Sequence, residues 1–149
     1  MEPRDLVLQF YKAFDDRAID QALDLLAPDC VAHLAGFPVP LDREEFKQFG
    51  LSFYTAFGQG QHVFEEIVCA GDRVVTCGLF TATHLGKFQG LPPTGKQISL
   101  AVMHIDRVRD GKIVEHWGQG DAFGLMQQLG VVFVPGPRLL PHLLRGALS

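Results

Sequence analysis

Basic residues are neither abundant nor clustered in this chain. Its 13 Lys and Arg are outnumbered by 17 Asp and Glu, giving a net charge of −4, and the scattered cations form no footprint for a polyanion. Nucleic acid is therefore not an expected partner. Cysteine is scarce as well: Cys30, Cys69 and Cys77 are an odd set without C-x-x-C spacing, so no disulfide framework is expected and the three read as reduced thiols of a cytoplasmic protein. No apolar run approaches the ~20 residues that span a bilayer, and the start of the chain lacks the basic and apolar regions of a signal peptide. A membrane is excluded on the same footing. His, Asp and Glu nowhere show a ligand spacing such as H-x-x-x-H, so neither metal nor cofactor is expected. The glycines between residues 86 and 95 lack the G-x-x-x-x-G-K-[ST] pattern of a phosphate cradle.

What is present in excess is phenylalanine. Twelve Phe stand against one Trp and two Tyr in 149 residues, and Phe brings large apolar area without a polar handle. A single domain of this length buries roughly 70% of its unfolded surface, enough for a core without staples. The Phe excess reads either as that core or as the wall of a pocket for an apolar, aromatic ligand.

Apolar spacing predicts a helix over 4–15 and a second from Ile19 that stops near Pro28, followed by a short strand at 30–34. Asp42 with Glu45 three residues on is a capping box, and Phe46, Phe49, Phe53 and Phe57 stripe the helix it opens. The period then changes to two. Strands are expected over 63–69 and 73–84, with a punctuated loop at 85–96, then strands over 96–109 and 112–120 and a short helix over 122–129. Asp110-Gly111 is a pair suited to a tight hairpin turn. Helices first and antiparallel strands afterwards indicate an α+β fold, a curved antiparallel sheet wrapped around the N-terminal helices as a cone with one open end. Residues 1–130 make one domain. The tail 131–149, with Pro135, Pro137 and Pro141, is expected to be disordered or to pack on a partner subunit.

Three motifs carry a family resemblance: T-H-x-G-x-F-x-G-x-P-P-T-G-K from Thr83 to Lys96, D-G-K-I-V-E-H-W from Asp110 to Trp117, and D-x-x-x-L-x-x-Q-L-G from Asp121 to Gly130. Over residues 4–130 the chain resembles the SnoaL-like polyketide cyclases (ester cyclases) of the NTF2-like superfamily. The resemblance implies the cone fold, a homodimer or higher homo-oligomer paired through the sheet, and cofactor-free aldol closure of a ring in a polyketide methyl ester. It also implies Asp121 as the acid/base aspartate, His104 as the histidine lining the same pocket, and His33 and His84 as further pocket residues. Gly118 and Gly120 depart from the pattern, standing where relatives often carry bulkier residues.

The residues themselves leave alternatives open. Asp121 lies at a strand-to-helix junction, where a buried carboxylate can act as base and where Asp is equally a favoured N-cap. His104 alternates with Ile98, Leu100 and Val102 on an apolar strand face, as a pocket group or a core histidine. If Asp121 faces a cavity, Trp117 shares its parity and lines it; otherwise Trp117 packs in the core or against a subunit. Tyr11 and Phe53 are candidates for the mouth. His33 and His84 are strand-end histidines that solvent alone can satisfy. One function is a cofactor-free cyclase with Asp121 and His104 catalytic, acting on a small apolar carbonyl or ester compound. The alternatives are a non-catalytic binding or oligomerisation module of the same superfamily, or another proton-transfer enzyme of ketosteroid-isomerase or epoxide-hydrolase type.

Overall fold

The computed structural model describes residues 1–148. Helix α1 (Pro3–Asp15) places Pro3 in its first turn, where a missing N–H costs nothing, and buries Leu6, Val7, Phe10, Tyr11 and Phe14 along one face. Helix α2 (Ile19–Asp24) packs against it. Strand β1 (Leu26–Leu34) starts earlier than the sequence suggests and takes in Pro28. This is possible because β1 is an edge strand with an irregular register between Leu26 and Val31, so the proline's absent donor is not needed. Helix α3 (Arg43–Ala56) opens with the expected box: the Glu45 N–H donates to Asp42 Oδ1 at 2.8 Å and the Asp42 N–H to Glu45 Oε2 at 2.9 Å.

A single five-stranded sheet follows from β2 (Phe57–Ala70), β3 (Arg73–His84), β4 (Gln97–Arg109) and β5 (Lys112–Gly120), in the order β1-β5-β4-β3-β2. β2 grows directly out of α3, so Phe57 begins a strand and does not close a helical stripe. The β4–β5 turn has Asp110 at φ 50° and Gly111 at φ 71°, as the residue pair requires. All pairings are antiparallel except β1 with β5, which is parallel, so the sheet is mixed where a wholly antiparallel one was expected. Register shifts in β2 after Gly58 and after Phe64 mark bulges, which bend a strand and strengthen its twist. Opposite the second bulge the backbones come so close that a Cβ on Gly78 would lie 2.1 Å from the Val63 carbonyl oxygen.

The concave face of this α+β fold receives α1 and α3, and the core lies between them. Helix α4 (Ala122–Gln128) runs beside β4 beyond the end of β5. There Gln128 takes over the strand's unpaired edge, accepting from the Ser99 N–H at 2.8 Å and donating to its carbonyl at 3.0 Å. Within the tail, Leu140–Ala147 forms helix α5, which the sequence reading did not anticipate, and no residue from 131 to 148 is buried. No described helix is long and apolar enough to cross a membrane. Gly78→Ala should lower the unfolding free energy by about 1–3 kcal/mol in a denaturant titration, the usual cost of overpacking, with unchanged stability contradicting the close strand approach.

Candidate active site

Alternation along β4 turns Ile98, Leu100, Val102, His104, Asp106 and Val108 inward. Asp106 is thereby 0% exposed on a strip that is otherwise apolar except for His104, a position a carboxylate can hold only if its oxygens are hydrogen-bonded. Both are. Tyr11 Oη donates to Oδ2 at 2.7 Å, and His116 Nδ1 lies 2.7 Å from Oδ1. An ionised carboxylate only accepts, so opposite ionised Asp106 the proton sits on Nδ1, and His116 in its neutral form then presents a bare Nε2.

His116 faces inward because of a bulge. Ile113 pairs with Val108 but Glu115 pairs with Arg107, so Val114 is an extra residue in β5 and the strand's parity reverses there. His116 and Gly118 then take the buried side. A Cβ built on Gly118 would meet His116 Nε2 at 3.1 Å, Leu34 Cδ2 at 3.1 Å and His104 Cδ2 at 3.5 Å. The missing side chain leaves a niche in front of the bare nitrogen.

A second Asp–His pair lies nearby. Asp15, at the end of α1, accepts from Tyr54 Oη at 2.7 Å and from the His62 backbone N–H at 2.7 Å, and its Oδ1 is 2.8 Å from His62 Nδ1. His104 touches both groups, its ring centroid 5.6 Å from that of His62 and 5.5 Å from that of His116. Thr76 Oγ1 is 3.3 Å from its Nδ1. Burial, then the neighbouring His116 and His62, push the His104 imidazole well below its ordinary pKa, so this ring is neutral. Burial first and Asp106 second push the Tyr11 phenol well up, and Asp15 does the same to an already buried Tyr54. Both phenols stay protonated as donors.

Tyr11, Tyr54, His62, His104 and His116 form the floor of a cavity of about 620 Å³, the size of a site for a drug-like molecule. Its walls include Phe10, Phe14, Phe46, Phe53 and Phe80, and its mouth is ringed by exposed Phe37, Ser52, Lys87, Gln89 and Gln119. No Asp or Glu lines it. Among the described residues no three His, Cys, Asp or Glu group as metal ligands.

The profile of the SnoaL-like polyketide cyclases matches residues 5–129. The chain belongs to that family. Aklanonic acid methyl ester cyclase DnrD of Streptomyces peucetius is 40% identical over 132 residues, covering 85% of this chain and 89% of that protein. The match to nogalonic acid methyl ester cyclase of Streptomyces nogalater is also 40% identical but short, spanning 32% of this chain and 35% of that enzyme. Among solved structures, IdmH of Streptomyces antibioticus, provisionally described as a polyketide cyclase, superposes with a TM-score of 0.79 at 34% identity, over 88% of this chain and 100% of that one. AclR of Streptomyces galilaeus, provisionally described as a hydroxylase, gives 0.80 at 27%, over 88% and 97%. One scaffold thus carries differently described activities, and the chemistry of this SnoaL-like protein must be argued from its own side chains.

Of the residues expected to form the site, His104, Tyr11 and Phe53 line the cavity, Tyr11 at its floor and not its mouth. The others do not. Asp121 is exposed: its N–H donates to the Ala101 carbonyl at 3.0 Å and its Oδ1 accepts from the Gly124 N–H at 2.9 Å, capping α4. Trp117 is 45% exposed on the outer face, on the same outward parity as Asp121, while the Val114 bulge turns its neighbours His116 and Gly118 inward. There it stacks on His33 at 3.7 Å, and His33 Nε2 lies 3.4 Å from Glu115. His84 is buried elsewhere, beside Phe57, where Nδ1 accepts from the Thr94 N–H at 3.2 Å. Asp106, His116, Asp15 and His62 were not singled out by the sequence as a site, whereas Gly118 was noted there as a departure from the family pattern. Since Asn caps helices about as well as Asp, Asp121→Asn should leave thermal stability almost unchanged while Asp121→Ala costs about 1 kcal/mol; equal losses in both would contradict the capping role.

Proposed function

We propose that this chain is a cofactor-free cyclase that closes a ring in a polyketide methyl ester by intramolecular aldol addition, with His116 as general base. The observation that carries this reading is the bare His116 Nε2 at the cavity floor, its ring fixed by Asp106 and facing the niche left by Gly118. An imidazole so held is a base of the strength this reaction needs, because a C–H between two carbonyls is already activated. Asp106 orients the ring and balances its charge once the proton has moved, as the carboxylate does in a Ser-His-Asp triad. The base role expected of Asp121 passes to His116, since no carboxylate lines the cavity.

In the proposed step His116 Nε2 takes the proton from the activated carbon, leaving an enolate. The enolate carbon attacks a ketone of the same molecule, a C–C bond forms, and the carbonyl electron pair becomes an alkoxide that must be protonated. Substrate and product have the same mass. Neutral His104 packs against both dyads and assists by positioning the enolate. Tyr11 and Phe53, with the other Phe rings, hold an apolar planar substrate by area and stacking. The names of the two ester cyclases support a polyketide methyl ester as substrate. A purely binding role is disfavoured by two Asp–His pairs at one cavity, one buried and one half-buried, an arrangement that binding of an apolar ligand does not require.

The same reading places the protein in the cytoplasm, in keeping with three free thiols, and makes it a homodimer. Val31, Met103, Ile105 and Trp117 are exposed on the outer face of β1, β4 and β5, a surface suited to a second copy. The test of the chemistry is to incubate the protein with aklanonic acid methyl ester or nogalonic acid methyl ester and follow an isomeric product by mass-resolved chromatography. His116→Gln should reduce turnover at least about 100-fold, the low end for loss of a general base. Turnover at the wild-type rate in that variant overturns the assignment.

A further inference from the structure

The ring closure leaves one proton unassigned. The alkoxide formed with the new C–C bond needs a donor, and His116, having just taken a proton at the niche, faces the carbon that lost it. Lys87 lines the cavity only at its exposed mouth, away from the floor. Tyr11 Oη and Tyr54 Oη are held by Asp106 and Asp15. His104 is neutral and wedged between two other imidazoles.

The geometry points to His62, positioned by Asp15, as the general acid that protonates the alkoxide, so that two Asp–His dyads divide the two proton transfers of the reaction. This inference rests on the assignment of His116 as base. Like His116, His62 lines the cavity and turns Nδ1 toward a carboxylate, which leaves Nε2 as its remaining functional atom. Asp15 receives the Tyr54 hydroxyl, the His62 N–H and the His62 ring, from α3 and β2 together, and so fixes the orientation of that ring. The two dyads also come from different elements: Asp106 and His116 face each other across β4 and β5, whereas Asp15 and His62 join α1 to β2. Each touches His104 and Tyr11, so a molecule seated on those two rings reaches both.

The protons balance. His116 in its neutral form takes one from carbon as the enolate forms; His62 in its protonated form gives one from Nε2 to the new alkoxide. At the end His116 is protonated and His62 is not, and exchange with water through the open mouth restores the starting pair. No oxidant, reductant or net acid is consumed. Enolisation and closure are thus assigned to different residues and become separable.

The test uses the full chain in deuterated water with aklanonic acid methyl ester, measuring deuterium uptake at the activated carbon and ring closure in the same samples. His62→Gln retains a hydrogen-bonding partner for Asp15 and is expected to keep exchange within about threefold of wild type while closure falls about 100-fold, the lower range for a general acid. Asp15→Asn, which keeps the shape of the positioning residue, should show the same split more weakly. His116→Gln should lose both. Closure at the wild-type rate in a folded His62→Gln overturns the acid role and leaves the base assignment standing. Exchange lost with His62 but kept without His116 reverses the two roles and overturns both assignments, as does a wild type that neither exchanges nor cyclises the ester.

Discussion

A carboxylate sealed among apolar side chains sets the terms for this molecule. Asp106 has no contact with solvent, and its charge is tolerated because Tyr11 from α1 and His116 from β5 bring hydrogen-bonding atoms to 2.7 Å. Removing either partner would leave one buried carboxylate oxygen without its bond, at a cost on the order of 1–3 kcal/mol or more for a charged group. The same two bonds that satisfy Asp106 tie the first helix to the sheet and fix which nitrogen of His116 faces the cavity. Folding and chemistry therefore depend on one cluster, and the floor of the cavity cannot rearrange without exposing or orphaning a charge.

The rest of the site follows from how the sheet is bent. The extra residue at Val114 turns His116 and Gly118 inward and Trp117 outward. Without it the strand would present Glu115, Trp117 and Gln119 to the interior, and Asp106 would face no imidazole. Bulges in β2 bend the sheet's other side, where His62 meets Asp15. Aromatic walls from α1 and α3 then enclose a space that is polar at its floor and at its rim and apolar between them. Binding area and reactive groups are thus segregated, which suits a substrate that is apolar apart from its carbonyls.

Much of the fold was legible in the sequence because it depends on local signals. The Asp42–Glu45 capping box, the Asp110-Gly111 turn and the alternation along β4 each fix geometry within a few residues. The errors arose where geometry is set at a distance. Pro28 reads as a breaker unless its strand is known to be an edge, and the parity of β5 cannot be counted across a bulge that leaves no mark in the sequence. Trp117 was tied to the cavity only through Asp121, whose role as base came from the family resemblance and not from the strand. Asp106, by contrast, was accessible: it continues the same inward alternation as His104, and a charged residue on that strip needed a partner. His62 and Asp15, 47 residues apart, meet only in the folded chain.

The account rests on the tautomer of one ring. Nitrogen-15 chemical shifts of the His116 imidazole in the labelled, ligand-free protein report directly which nitrogen carries the proton in the neutral form. A proton on Nδ1 and a bare Nε2, lost as a fixed preference in Asp106→Asn, is the predicted result; a proton held on Nε2, or rapid exchange between tautomers in the wild type, would contradict it.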